Sequence, residues 1–277
     1  MGAIETRNQA GRILWTLPEP IARPRLHGIK VASPRQLKNA PVKEALIDIQ
    51  FESSIDLAHI DVIVDRVSAR YSKKSDIWQT VLGIGHGEGD KNAADNTLLG
   101  RRLESEDGRF VLLIRRNGLA VSRLAPYIDW DELRNEAKTC WLALLDASGL
   151  PSVSRVAVRY INELIIPLPI GDFDEFLTCP PTVPAALPQA ISEFLTRVVI
   201  PDPVSQAVSI VTQALQVAPT FMDGKPVVPV ILDIDVFRIG GLPAAGDEIW
   251  GVLDILREQK NKMFFEHLTE KAVEMFQ

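Results

Sequence analysis

The chain has 277 residues, of which 46% are hydrophobic and 24% are charged. These proportions are ordinary for a folded globular protein and exclude an intrinsically disordered chain. The 30 Lys and Arg residues against 36 Asp and Glu residues give a formal net charge of −6. This charge argues against a protein that coats nucleic acid, because phosphate binding requires a basic surface. No apolar run of about eighteen residues occurs, so no membrane-spanning segment is predicted.

Residues 1–40 are predicted to form an N-terminal arm. The stretch is rich in proline, which lacks the N–H group that helices and sheets need. We therefore expect an extended segment that lies over the body or over a partner, with a free tail as the alternative. The first residues include Glu5 and lack the apolar segment of a secretion signal. Cys140 and Cys179 form no disulfide or metal-ligand pattern, so we expect a cytoplasmic protein without a cofactor.

Residues 41–150 are predicted to form the first of two α+β halves. Alternating apolar and polar residues predict a strand over 42–52 with one wet face. Apolar residues at helical spacing predict a helix over 56–71, capped by Asp56. The elements predicted after this helix are strands over 77–84, 97–104, 109–115 and 119–124 and a helix over 129–148. Asn117 and Gly118 predict a tight hairpin, because both residues tolerate a positive φ angle.

Residues 151–277 follow a similar order and are predicted to form the second half. The predicted elements are strands over 153–166, 190–199, 204–215 and 227–238, a short helix over 172–177 and a long helix over 247–276. The polar residues expected to form an exposed face of this long helix are Glu248, Arg257, Glu258, Lys260 and Lys262. The repeated order indicates an internal duplication. We expect one curved antiparallel sheet with helices on one face, as in a TATA-binding-protein-like saddle, an analogy that concerns the fold alone.

Several segments resemble a sporadically distributed, uncharacterised bacterial protein family. The resemblance extends in order from about residue 40 to residue 277. Its most specific segments are Arg159-Tyr160-Ile161-Asn162, Leu232-Asp233-Ile234-Asp235, and Asn261, Phe264, Phe265, Leu268 and Thr269 near the C-terminus. Tyr127 and Trp130, which follow a strand, belong to it as well. Proteins of this family have no assigned catalytic residues, so the resemblance implies none here. Their scattered distribution implies an accessory or defence-associated role.

Asp233 and Asp235 are two residues apart on a predicted strand, so both project from the same face. Two close carboxylates repel each other, which raises the pKa of one of them or requires a cation. Arg155 and Arg159, on the polar face of another strand, are the expected partners in a structural ion-pair patch. A ligand-binding patch and a metal site are the alternatives.

Two further sets of residues are candidates for binding. Asn162 falls on the apolar side of its strand, and a buried amide must be hydrogen-bonded. We expect it to tie a bulge or a helix end, with a ligand contact as the alternative. The arginines predicted to form a basic cluster across adjacent strands are Arg101, Arg102, Arg115, Arg116 and Arg123. This cluster could bind phosphate or nucleic acid, although a solvated or ion-paired face is the simpler interpretation.

Residues 83–90 alternate glycine with other residues, including His86, Glu88 and Asp90. The stretch matches neither the dinucleotide-binding pattern nor the P-loop pattern. A strand-to-strand loop is the favoured interpretation, and a metal or phosphate site is the alternative.

Three functions fit the sequence. Hydrolase patterns such as GxSxG, HExxH and SxxK do not occur, which favours a non-catalytic module that binds a protein partner or a second copy of itself. The sheet, the arm and the C-terminal helix would supply the binding surfaces. Binding of nucleic acid or a nucleotide by an Arg-bearing sheet face is the first alternative. A metal-dependent enzyme centred on Asp233 and Asp235 is the second.

Overall fold

The structure of the protein is a computed structural model. It describes residues 30–83, 93–149, 152–215, 220–242 and 248–277, and the backbone of residues 4–7 and 13–16. Strands β1 (Ile4–Arg7) and β2 (Ile13–Thr16) pair with each other in the arm. Most of the predicted loop over residues 83–90 lies outside the described residues.

Ten strands form one open antiparallel sheet. The strands of the first half are β3 (Val42–Phe51), β4 (Lys73–Gly83), β5 (Ala93–Glu104), β6 (Phe110–Arg115) and β7 (Gly118–Leu124). Those of the second half are β8 (Val153–Pro167), β9 (Phe194–Asp202), β10 (Ala207–Leu215), β11 (Thr220–Met222) and β12 (Lys225–Leu242). This sheet, with its helices, confirms the predicted α+β class.

The strand order shows how the two halves correspond. Across the sheet the order is β4-β5-β6-β7-β3-β8-β12-β10-β9, and β11 pairs with β12. In each half the first strand, β3 or β8, lies at the centre of the sheet, and the chain then crosses to the outer edge at β4 or β9. The later strands lead back to the centre, where β7 pairs with β3 and β12 pairs with β8. The two central strands, β3 and β8, join the halves by antiparallel pairing. The strand order therefore follows the same path in both halves.

The helices lie against one face of the sheet. They are α1 (Leu57–Val67), α2 (Trp130–Ser148), α3 (Glu248–Glu266) and α4 (Glu270–Glu274). Asp56 and Asp129 cap α1 and α2, each accepting a 2.8 Å bond from a backbone N–H of the first turn. α2 contacts β3 and β7, and α3 contacts β8, β10 and β12. We call the side of the sheet that packs on these helices the helical face and the opposite side the open face.

The predicted long C-terminal helix is interrupted, which corrects the sequence-based expectation. α3 ends at Glu266, and Thr269 caps α4 by accepting a 3.2 Å bond from the backbone N–H of Ala272. The intervening residues take backbone partners from elsewhere: the carbonyl of Leu268 accepts a 3.0 Å bond from the N–H of Ala32. The described end of the arm thus lies over the C-terminal residues. The bridge it makes there replaces helical hydrogen bonds.

The hairpin between β6 and β7 occurs where it was predicted, but for a different reason. Neither Asn117 nor Gly118 has a positive φ angle. Instead, a Cβ atom at Gly118 would lie 2.6 Å from the carbonyl oxygen of Ile49 on the neighbouring strand β3. A glycine is needed at this position because the two backbones approach so closely.

Among the helices that the structure describes, none has both the length and the apolar run that crossing a membrane requires.

The substitution Gly118→Ala is expected to destabilise the protein by about 1–3 kcal/mol, because the added methyl group overpacks the β3–β7 contact. The matched control is Gly251→Ala in α3, where a Cβ atom meets nothing within 4 Å. That change is expected to stabilise the protein by about 0.5–1 kcal/mol through helix propensity. Urea unfolding of both variants measures the difference, and equal effects would contradict this account of Gly118.

Candidate functional site

The central strands place charged side chains on the open face. On β8, alternate residues such as Val156 and Tyr160 are buried on the helical face, whereas Arg155 and Arg159 lie on the open face. The register pairs Asp235 of β12 with Arg159. The same alternation therefore brings charges from neighbouring strands together at the centre of the sheet, where the two halves meet.

These side chains form a row of alternating charges, which we call the ion ladder: Arg115, Asp48, Arg155 and Asp235, with Arg159 and Asp233 beside them. Arg115 of β6 donates to Asp48 of β3. Arg155 Nη1 lies 3.4 Å from Asp48 Oδ1, and Arg155 Nη2 donates to Asp235 Oδ2 at 2.9 Å. Arg155 thus joins a carboxylate of the first half to a carboxylate of the second.

The neighbouring pair is bidentate. Arg159 Nε donates to Asp233 Oδ1 at 2.8 Å, and Arg159 Nη2 donates to Asp233 Oδ2 at 2.6 Å. This geometry matches the planar guanidinium to the planar carboxylate. The two Asp–Arg pairings expected from the sequence are therefore present. Arg159 reaches the diagonal neighbour of its register partner Asp235, and Arg155 extends along β12 to a residue four positions from its own register partner, Ile239.

The ion ladder is balanced in charge but tightly packed. Its three arginines match its three aspartates. Burial raises the pKa of Asp235, and the charge of Arg155 opposes this effect. The Oδ1 atom of Asp235 and the Nε atom of Arg115 are buried without a hydrogen-bond partner among the described residues. The row therefore has little free charge to offer a ligand.

Asn162, another predicted site residue, lies away from the ion ladder on the helical face. Its Nδ2 atom donates to the carbonyl of Leu232 at 2.9 Å. It lies beside the register shift between Val42 and Glu44 of β3. Asn162 thus ties β8 to β12 next to a strand irregularity, which is the structural role favoured by the sequence.

The predicted basic cluster is divided between the two faces, so it is wrong as a single surface. Arg102 lies on the open face, but Arg101 and Arg123 lie on the helical face, because neighbouring strand residues alternate. Arg101 pairs with Asp61 of α1 at 3.0 Å. Arg123, which is fully buried, donates to Glu132 of α2 at 2.8 Å. Both arginines hold helices against the sheet.

An apolar patch lies beside the ion ladder on the open face. Its residues, joined by the cross-strand register, are Val199 and Pro201 of β9, Val208 and Ile210 of β10, and Phe237 of β12. Ile210 pairs with Asp235 across the strands, and Arg155 stacks over the Phe237 ring at 4.4 Å. Val199 is 45% exposed. Apolar surface therefore borders the balanced charges directly.

Lys260 is buried, which corrects its assignment to the polar face of the C-terminal helix. The residue as a whole is 8% exposed, and the Nζ atom lies 3.6 Å from the centroid of the Tyr160 ring. Burial, together with the nearby charge of Arg257, lowers the pKa of Lys260 to about 7. The signal in the sequence was its helical phase, since Lys260 lies four residues from both Leu256 and Phe264.

No group of three or more potential metal ligands occurs among the described residues. Asp233 and Asp235, the proposed metal ligands, are each engaged by an arginine. Comparison of the sequence with protein-family models and with curated proteins found no match. The resemblance based on the short segments therefore stays a prediction.

Replacing Arg155 by Leu is expected to destabilise the protein by about 2–4 kcal/mol, because it leaves Asp48 and Asp235 without their shared partner. The charge of Arg155 opposes the rise of the Asp235 pKa, so its removal raises this pKa further in the folded variant, which then gains more stability from protonation of Asp235 than the wild type does. Lowering the pH from 7 should therefore reduce the loss of unfolding free energy that Arg155→Leu causes. Chemical unfolding of the wild type and the variant at pH 7 and at lower pH measures this loss.

The control for Arg155→Leu is Arg102→Leu, which removes an exposed pair with Glu104 on the same face. Its expected cost is below about 1 kcal/mol. The ion ladder would not be a coupled unit if both variants lost the same unfolding free energy. The same conclusion would follow if the loss in Arg155→Leu grew as the pH fell.

Lys260→Met is expected to stabilise the protein by about 1–3 kcal/mol at pH 6, because it removes a buried charge. The pKa of Lys260 is about 7 in the folded state against an ordinary value of 10.5. Between these values the unfolded chain binds more protons, so wild-type stability rises with pH and the advantage of the variant shrinks. The exposed Lys262→Met is the control, with an effect within about 0.5 kcal/mol. A pH-independent difference would contradict the burial of this charge.

Proposed function

We propose that the protein is a non-catalytic module that binds a protein partner with the open face of its sheet. The observation that supports this most is the combination of balanced charge and apolar surface on a face that none of the described helices covers. The ion ladder and the apolar patch together form the proposed binding surface.

The balance of charge favours a partner surface that is largely uncharged. Isolated charges are costly to remove from water, but the charges of the ion ladder already have their partners. A docking surface that covers them need supply no counter-charges. Apolar side chains of the partner would then contact Val199, Ile210 and Phe237, which is the usual composition of an interface core.

The edge of the sheet adds to this surface. β9 pairs with β10 and has no strand on its other side among the described residues. Its open-face residue Leu195 is 73% exposed. An unpaired edge with apolar side chains is a known mode of recognition, in which a partner strand extends the sheet. A second copy of the chain could supply such a strand.

Nucleic-acid binding is less well supported by the geometry. The arginines of the open face that the sequence singled out, Arg102, Arg115, Arg155 and Arg159, are all paired with carboxylates. Phosphate binding through them would require these pairs to break. The narrower expectation of an accessory or defence-associated role comes from the resemblance alone and stays a prediction.

Affinity purification of the tagged full chain tests the proposal. Val199→Lys places a charge in the apolar patch on an edge strand, where lysine is tolerated. It should reduce recovery of the specific partner by about tenfold or more, the effect of losing a central interface contact. Recovery by the wild type should change little with salt, because the charges of the ion ladder are already paired and buried charges are weakly screened.

The matched control is Ile255→Lys, which alters an apolar residue of α3 that is 51% exposed. It should leave recovery unchanged. Light scattering of the same proteins reports self-association and identifies a second copy as the partner. The proposal is wrong if the protein is monomeric and no captured protein distinguishes Val199→Lys from Ile255→Lys.

A further inference from the structure

Strand β9 forms one edge of the sheet and exposes apolar side chains on both of its faces. Leu195 on the open face is 73% exposed, and Val198 on the helical face is 51% exposed. Val211 of β10, which pairs with Val198, is only 2% exposed. The described helices therefore cover β10 but not β9. An edge strand that is apolar on both faces is free to pair with a further strand.

The other edge of the sheet is protected against such pairing. β4 begins with Lys73 and Lys74, and both residues are exposed. Charged side chains, and lysine in particular, are the usual means by which edge strands avoid pairing. Over residues 194–199, β9 has one charged side chain, that of Arg197. The contrast makes β9, and not β4, the edge that can accept another strand.

Two opposite charges near the start of β9 are unpaired. Arg197 lies on the open face, because it pairs with Thr212 of β10 and this residue in turn pairs with Asp233. Glu193 comes immediately before the strand, and both Glu193 and Arg197 are exposed. Neither forms an ion pair with any of the described residues. The edge thus has one free cation and one free anion, two residues to either side of Leu195.

We propose that β9 pairs with β9 of a second copy of the chain, antiparallel and about a two-fold axis at Leu195. This inference rests on the proposed function, because it names the occupant of the edge described there. Leu195 faces the partner's Leu195 at the axis, and Arg197 faces the partner's Glu193. The symmetry forms this ion pair twice. Opposite charges placed directly across two strands stabilise their pairing.

The charges select this register. When the helices of both copies stay on one side of the joined sheet, the axis passes through a residue, and residues equally far from it lie opposite each other. An axis at Thr196 places Arg197 opposite the partner's Leu195. An axis at Arg197 places two arginines opposite each other, which is unfavourable. Of the axes through residues 194–199, only the one at Leu195 places a carboxylate opposite Arg197.

A two-fold pairing of this kind is closed. Each copy uses its β9 edge once, so the assembly stops at a dimer and leaves the two β4 edges at its outer ends. The two open faces lie on the same side of the joined sheet. The ion ladder and the apolar patch therefore stay accessible to a different protein, and dimerisation and binding by the open face can fail separately.

Sedimentation velocity of the full chain over roughly 1–100 µM tests the inference, because dimerisation depends on concentration. The wild type should be a dimer at the upper end of this range. Arg197→Glu and Glu193→Arg each replace two attractive pairs by two repulsive ones, so each should weaken dimerisation by about tenfold or more. The variant that combines both changes restores opposite charges and should recover the dimer.

The matched control is Lys225→Glu, which reverses an exposed charge of β12 outside the proposed interface. It changes the net charge by the same amount as Arg197→Glu and should leave dimerisation unchanged. Leu195→Lys places two ammonium groups at the axis and should abolish the dimer. Thermal unfolding of each variant separates a loss of pairing from a loss of folding.

Three results would overturn the inference. The first is a wild type that stays monomeric at the highest concentration. The second is a dimer that Arg197→Glu does not weaken. The third is a combined variant that dimerises no better than Arg197→Glu alone. None of these results decides the proposal for the open face, which depends on whether the captured proteins distinguish Val199→Lys from Ile255→Lys.

Discussion

The antiparallel pairing of β3 with β8 is the contact on which the rest of the structure depends. It joins the two halves into one sheet, so that their helices share one face and a single core. It also sets the register that brings Asp48 of the first half to Arg155 and, through it, to Asp235 of the second. Slipping this pairing by one residue would turn the apolar side of a strand outward. The same strand register is therefore needed for both the ion ladder and the core.

Charged side chains have different kinds of partner on the two faces of the sheet. On the open face, positive and negative side chains alternate across the strands and satisfy one another. On the helical face, Arg123 and Arg101 have carboxylate partners on helices, whereas Lys260 is buried with Asn261 as its hydrogen-bond partner. The balanced surface of the open face suits an uncharged protein partner. The distribution of charge, more than its total, thus supports the open face as the proposed binding surface.

Much of the fold could be predicted because it follows local rules. Period-two alternation placed the strands, and the cap at Asp56 was predicted because its side chain can accept a bond from a first-turn N–H group. The C-terminal helix was predicted too long, because its break depends on backbone partners from a distant segment, including Ala32. The hairpin at Gly118 was predicted correctly but for the wrong reason, because the close approach of β3 cannot be read from the residues that neighbour Gly118 in the sequence.

The sequence by itself determined which residues share a face of each strand, and hence that Asp233 and Asp235 project together, as Arg155 and Arg159 do on another strand. It also determined the order of elements that defines the two halves. Only the tertiary structure decided which strands are neighbours, that Lys260 is buried against Tyr160, and that the predicted arginine cluster is divided. The physical reason is that periodicity is a property of one segment, whereas burial and charge balance are set by whatever other segments pack against it.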